Sequence, residues 1–129
     1  MTIAVSCVAL LGLLLFSLGL RVSVLRGKQR VLFGSTNNPA DPLFRAVRAH
    51  GNAAEYIPTL AVLMLLVSAR VATWWPALLC LLALTFRVIH AVALTRPPRR
   101  TMAAPDRYIG ALGTYAVGIA LAITALASL

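Results

Sequence analysis

"FRAVRAHGNAAEYIPTLAVLMLLVSAR", residues 44–70, decides how this chain is read. Its second half, from Thr59 to Ala69, is an apolar run with the length and character of a membrane helix. Its first half carries Arg45, Arg48, His50, Asn52 and Glu55 on what must be the same helix, because no breaker separates the two halves until Pro58. A chain that is 60% hydrophobic and holds only 3 acidic residues places its one glutamate there. Ionisable groups inside a spanning segment are expensive, so they mark a pathway, a site or an internal network.

Working outward, the same apolar character recurs three more times. A spanning helix needs about 20 mostly apolar residues. The expected spans are 3–20, 43–69, 74–94 and 106–129, which make one all-α, four-span integral membrane bundle with no separate soluble domain. The turn-rich "GSTNNPADP" at 34–42 separates the first two, and Asp41 and Pro42 suit the start of the second. Proline at 97 and 98 stops the third helix, while Pro105 and Asp106 suit the start of the fourth. The short "SARVATWW" predicts a helical hairpin with Trp74 and Trp75 at the membrane interface. In the fourth span Gly110, Thr114, Gly118 and Ala122 recur every four residues, a small-residue packing seam.

The 12 Lys and Arg residues give a net charge of +9. They concentrate beside the first and third loops: Arg21, Arg26, Lys28 and Arg30 on one, Arg96, Arg99, Arg100 and Arg107 on the other. Only Arg70 lies on the opposite side. That asymmetry places loops 1 and 3 in the cytoplasm and both termini outside. It fits an anionic membrane surface, and no nucleic-acid motif accompanies it. The N-terminus lacks the basic lead-in of a secretory signal, so it reads as a span. Cys7 and Cys80 lie within apolar runs and read as buried free thiols. With two histidines and no acidic or thiol partner at ligand spacing, no metal site is expected.

At 100° per residue, Arg45, Arg48, Asn52, Glu55 and Tyr56 fall within an arc of about 100°, with His50 nearly opposite. Glu55 would sit about 9 Å inside the cytoplasmic boundary. Arginine takes carboxylates and glutamate takes ammonium groups, so the stripe suits a polar zwitterion. An internal Arg–Glu network fixing helix packing explains the spacing equally well. On the third helix Arg87 and His90 share a face, where a lone histidine is more often a structural hydrogen-bonder.

"RAVRAHGNAAEYIP" resembles the second-helix signature of the MAPEG family, the membrane-associated proteins in eicosanoid and glutathione metabolism. Arg45, Arg48, Ala49, Asn52, Glu55, Tyr56 and Pro58 fit its pattern, and "FRVIHAVAL" at 86–94 is similar to the third helix of bacterial members. The resemblance implies a homotrimer in a bacterial inner membrane, holding glutathione between subunits as co-substrate. Arg48 would take a glutathione carboxylate, Asn52 and Glu55 the γ-glutamyl end, and Tyr56 the pocket wall. Arg45, Arg87 and His90 would join that pocket, and Arg26 or Arg30 would add a cation. Arg99 or Arg100, with Arg107 as rival, would stabilise the thiolate that attacks a hydrophobic electrophile or lipid substrate. Where eukaryotic transferases carry third-helix tyrosines, this chain has His90 and Leu94. The implied activity is glutathione transfer, with a glutathione-dependent peroxidase activity from the same thiolate. The alternatives are a non-enzymatic lipid-binding or scaffolding member, and a small transporter.

Overall fold

The computed structural model describes residues 1–97 and 105–129. The chain forms four helices and no strand among the described residues: α1 (Thr2–Gln29), α2 (Pro42–Arg70), α3 (Trp75–Thr95) and α4 (Pro105–Ala127). Each is long and apolar enough to cross a membrane. The all-α, four-helix integral membrane bundle expected from the sequence is what forms.

α2 and α3 occupy the middle. α1 packs on both, α4 packs on both, and α1 and α4 do not meet. Each helix buries a narrow stripe, and apart from the polar stripe on α2 the other faces are mostly apolar. On α1 the stripe is Ala4, Cys7, Leu11, Leu18 and Val22, while Leu10, Leu13, Phe16 and Leu20 point outward. A helix that is apolar all round suits lipid on its outer side. Both cysteines are buried and free.

α1 extends beyond its expected span. Nothing in "RVSVLRGKQ" breaks a helix, so it continues nine residues past Leu20, about 14 Å. It ends where Arg30 adopts φ 55°, ψ 38°, and the Val31 N–H closes back on the Arg26 carbonyl at 3.1 Å. That left-handed cap is a position glycine usually takes.

α2 starts where Asp41 and Pro42 signal it. The Asp41 carboxylate accepts the Leu43 N–H at 2.9 Å, Gln29 at 2.9 Å and the Thr36 hydroxyl at 2.7 Å. One side chain thus caps α2 and ties it to the end of α1. Ala46, Ala49 and Ala53 line the buried face of α2, where small side chains permit close approach. His50 turns to α1, and Gly19 leaves room for its ring.

α3 and α4 approach closely at Gly110. A Cβ placed there would lie 2.7 Å from the backbone nitrogen and the Cβ of His90. The buried seam of α4 runs Gly110, Thr114, Val117, Leu121, Thr124. The expected four-residue repeat holds only for Gly110 and Thr114. Gly118 and Ala122 drift to half-buried positions, because steps of four advance 40° per repeat on a 3.6-residue helix. Gly118 instead faces Leu60 of α2.

Two outcomes test this packing. Gly110→Ala forces backbone apart and should lower unfolding stability in detergent by about 2 kcal/mol, while Gly12→Ala, with open space around it, should change little. The second concerns pH. Hydrogen bonds from Thr36, then Gln29 and the Leu43 N–H, hold the Asp41 carboxyl below the usual carboxylate range. A depressed folded-state value gives stability that is present above that range and lost as pH falls through the lowered value. Protease nicking of loop 1 should be faster in Asp41→Ala than in wild type near neutral pH. The gap should close in strong acid.

Candidate functional site

The polar stripe of α2 divides into three environments. The buried face of this helix runs through Ala49, Ala53, Ile57, Leu60 and Met64. The stripe's arc lies across the edge of that face, so neighbouring positions turn different ways.

Arg45 turns toward the end of the bundle. Its Nη1 donates to the carbonyls of Pro39 at 2.9 Å and Ala40 at 2.7 Å, and its Nε donates to the Thr95 carbonyl at 3.3 Å. It braces loop 1 against the last turn of α3. Those carbonyls include one that the helix end leaves without a donor.

Asn52 and Tyr56 turn inward and meet Arg87. The Arg87 guanidinium, 2% exposed, donates from Nη2 to the Asn52 Oδ1 at 2.8 Å. Its Cζ lies 5.3 Å from the centre of the Tyr56 ring. Its Nε is buried and has no hydrogen-bond partner among the described residues. Tyr56 in turn places its hydroxyl 3.3 Å from that of Tyr115 on α4, with ring centres 5.7 Å apart. Three helices therefore converge on one buried cation.

Arg48 and Glu55 turn outward. Both are exposed, and among the described residues neither forms a salt bridge or a side-chain hydrogen bond. Asn52, half-buried, lies between them. The line continues through Thr59, Val62, Leu66 and Ala69, all exposed. Steps of four and three alternate along its whole length, which is the spacing of a helix–helix seam. The single chain supplies no helix to cover it. Pro58 within this stretch has no N–H, so the Ala54 carbonyl beside Glu55 lacks its usual helical donor.

The remaining sequence-predicted residues lie apart from this cluster. His90 is 6% exposed, and its Nδ1–H donates to the Arg107 carbonyl at 3.0 Å, joining α3 to the first turn of α4. That is the structural role a lone histidine usually has. Arg26 is half-buried, with its Nε unpartnered among the described residues, and Arg30 forms the α1 cap; neither hydrogen-bonds to the α2 stripe. Arg96 pairs with Asp106 at 3.3 Å, so the ends of α3 and α4 are tied beside Arg107. Arg99 and Arg100 lie outside the described residues. Among the described residues no three His, Cys, Asp or Glu side chains come together.

Sequence reasoning missed Tyr115. The available signal was its depth: a tyrosine in mid-span is far from the interfaces where that residue is usually enriched.

The arrangement can bind a zwitterion by two opposite charges on one helix face, with an amide between them. It can also hold a phenol pair over a cation. If Asn52 stabilises Arg87 through a charged hydrogen bond, Asn52→Leu should cost about 2 kcal/mol in detergent unfolding. Combining it with Arg87→Met should restore part of that loss, which a double-mutant cycle measures.

Comparison with known proteins agrees with the fold. The family model "MAPEG family" matches residues 4–127. The chain is 38% identical over 80 residues to "Inner membrane protein YecN" of Escherichia coli (strain K12). The same identity over the same length relates it to the protein of that name from Escherichia coli O6:H1. These matches cover 61% of this chain and 60% of each relative, so the chain spans somewhat less than two thirds of the relatives' length. With the match running through all four helices, the chain belongs to the MAPEG family.

Proposed function

We propose that this protein is a membrane glutathione transferase whose binding site is completed by a neighbouring copy of the chain. One observation carries the reading. Arg48 and Glu55 are exposed and, among the described residues, unpaired on a spanning helix, two turns apart on one face. An ionised glutamate facing lipid about 9 Å deep costs several kcal/mol, so protein or water must cover it. The alternating four–three line from Arg48 to Ala69 has the form of a seam for another helix. A homotrimer built on that seam would enclose the charges between subunits.

In that setting Arg48 binds a glutathione carboxylate, Glu55 the ammonium group, and Asn52 the γ-glutamyl amide. The thiol needs a cation, because a free thiol is mostly protonated at neutral pH. Family resemblance gives that part to Arg99 or Arg100, with Arg107, in the first turn of α4, as rival. The thiolate sulfur bonds to the electrophilic carbon of a hydrophobic compound delivered by the bilayer and expels its leaving group, halide for an aromatic halide; a hydroperoxide would be reduced there to alcohol and water as two glutathiones are oxidised to the disulfide. The basic end of the bundle faces the cytoplasm by the positive-inside rule, and the relatives' name supports an inner-membrane location.

Equilibrium glutathione binding to the purified protein in detergent tests this. Wild type should bind at or below millimolar glutathione, and Arg48→Ala and Glu55→Gln should each weaken binding at least about tenfold, the loss of one charged hydrogen bond. Binding should be followed by conjugation to an aromatic halide. Folded wild type that ignores millimolar glutathione would remove the transferase reading and favour a lipid-binding or scaffolding role. Binding without conjugation would leave the site and remove the enzyme.

A further inference from the structure

The Tyr56–Tyr115 pair has one proton too many. Two phenols bring two O–H donors, and a single bond of 3.3 Å joins them. Whichever ring donates, one O–H is left with no acceptor among the described residues. Its depth makes this matter. Tyr115 is ten residues from Pro105 and twelve from Ala127, about 15 Å and 18 Å along α4. That is the middle of a hydrocarbon core about 30 Å thick, beyond the reach of a tyrosine side chain toward either interface. Lipid headgroups and their ester carbonyls are too shallow to serve. A donor left unbonded in lipid costs free energy, so the acceptor must come from a molecule outside the chain.

The surroundings describe that molecule. The Arg87 cation sits 5.3 Å from the Tyr56 ring centre, so the donor pair rests on positive charge. Such a pair favours an oxygen that carries substantial negative charge, as a conjugated carbonyl does. One turn to either side on α4, Leu112 and Ile119 are 64% and 61% exposed, offering apolar surface for a hydrocarbon body.

We infer that the Tyr115 hydroxyl is the recognition group for the carbonyl oxygen of a lipophilic ketone or enone that enters from the bilayer between α2 and α4. The transferase reading gives this ligand its use, as the electrophile, but binding itself needs no glutathione. Tyr115 touches the ligand, while Arg87 acts through Tyr56 and is a positioning residue.

Benzophenone tests the inference, because it is both a lipophilic ketone and a photo-crosslinker. Diphenylmethane has nearly the same shape and no oxygen. With wild-type protein in detergent, saturable labelling should concentrate on Leu112 and Ile119, and unlabelled diphenylmethane should compete about tenfold more weakly than benzophenone. Tyr115→Phe keeps the ring, and there the two compounds should compete equally. Equal competition in wild type, labelling spread over all lipid-facing helices, or labelling indifferent to Tyr115→Phe would each overturn the inference. So would a change of assembly size in Tyr115→Phe without a change in labelling, since the hydroxyl would then bond a second copy. Glutathione binding is measured on the same samples. Its absence with Tyr115-dependent labelling sinks the transferase reading alone, and the reverse result sinks this inference alone.

Discussion

A guanidinium inside the bilayer is the constraint on which the bundle turns. Arg87 sits on the buried face of α3, with no carboxylate within salt-bridge distance among the described residues. Its charge is accommodated by the Asn52 amide and the Tyr56 ring, both on α2. Tyr56 carries the link to α4 through Tyr115. Sliding α2 by one residue against α3 would turn Asn52 about 100° away and leave the charge uncovered. Apolar surfaces specify register weakly in lipid, where association rests on close packing and polar contacts. The Arg87 cluster therefore sets register in mid-membrane. Gly110 against His90 and Arg45 against Thr95 set it again near the basic end.

The polar side chains sort into two groups by where their partners come from. Asp41, Arg45 and His90 find partners within the chain and hold its elements together. Among the described residues Arg48 and Glu55 find none, and Tyr115 keeps or receives only one bond of those the phenol pair could make. Stability alone does not explain the second group, because replacing exposed Glu55 by an apolar residue would lower the cost of a lipid-facing helix. Side chains that are costly to the isolated chain are accounted for by what the chain binds. On the proposed reading, that means a neighbouring copy and glutathione for the charges, and a carbonyl for the phenols.

The four helices and most of their ends were legible in the sequence because lipid imposes a length and a composition that few other environments do. Proline and aspartate at 41–42 and at 105–106 marked two starts to within a residue. The end of α1 was not legible. Hydropathy falls at Arg21, but nothing there stops a helix, and the rule that finds spans measures apolarity and not helicity. The stripe on α2 was visible as an arc, yet an arc does not show where the buried face begins. Arg45 and Glu55 lie about 80° apart on the helix. One is anchored to three backbone carbonyls and the other stands free. Tyr115 was hidden because its partner is 59 residues away, and spacing within one helix says nothing about pairs between helices.

Glu55 and Tyr56 are adjacent, and this adjacency places two unlike surfaces on one turn. Consecutive residues of a helix point about 100° apart. Glu55 faces outward with the charged line of Arg48, on the side that a second subunit would enclose and that opens toward the basic end. Tyr56 faces Arg87 and Tyr115, toward α3 and α4 and the proposed carbonyl site. A water-soluble zwitterion and an oil-soluble carbonyl compound have no common phase in which to meet. A reaction between them needs a boundary where each arrives by its own route and the final separation is a few ångströms. One turn of α2, from Asn52 to Tyr56, has that form. The proposed chemistry would therefore depend less on any single strong interaction than on a helix whose two flanks belong to different solvents.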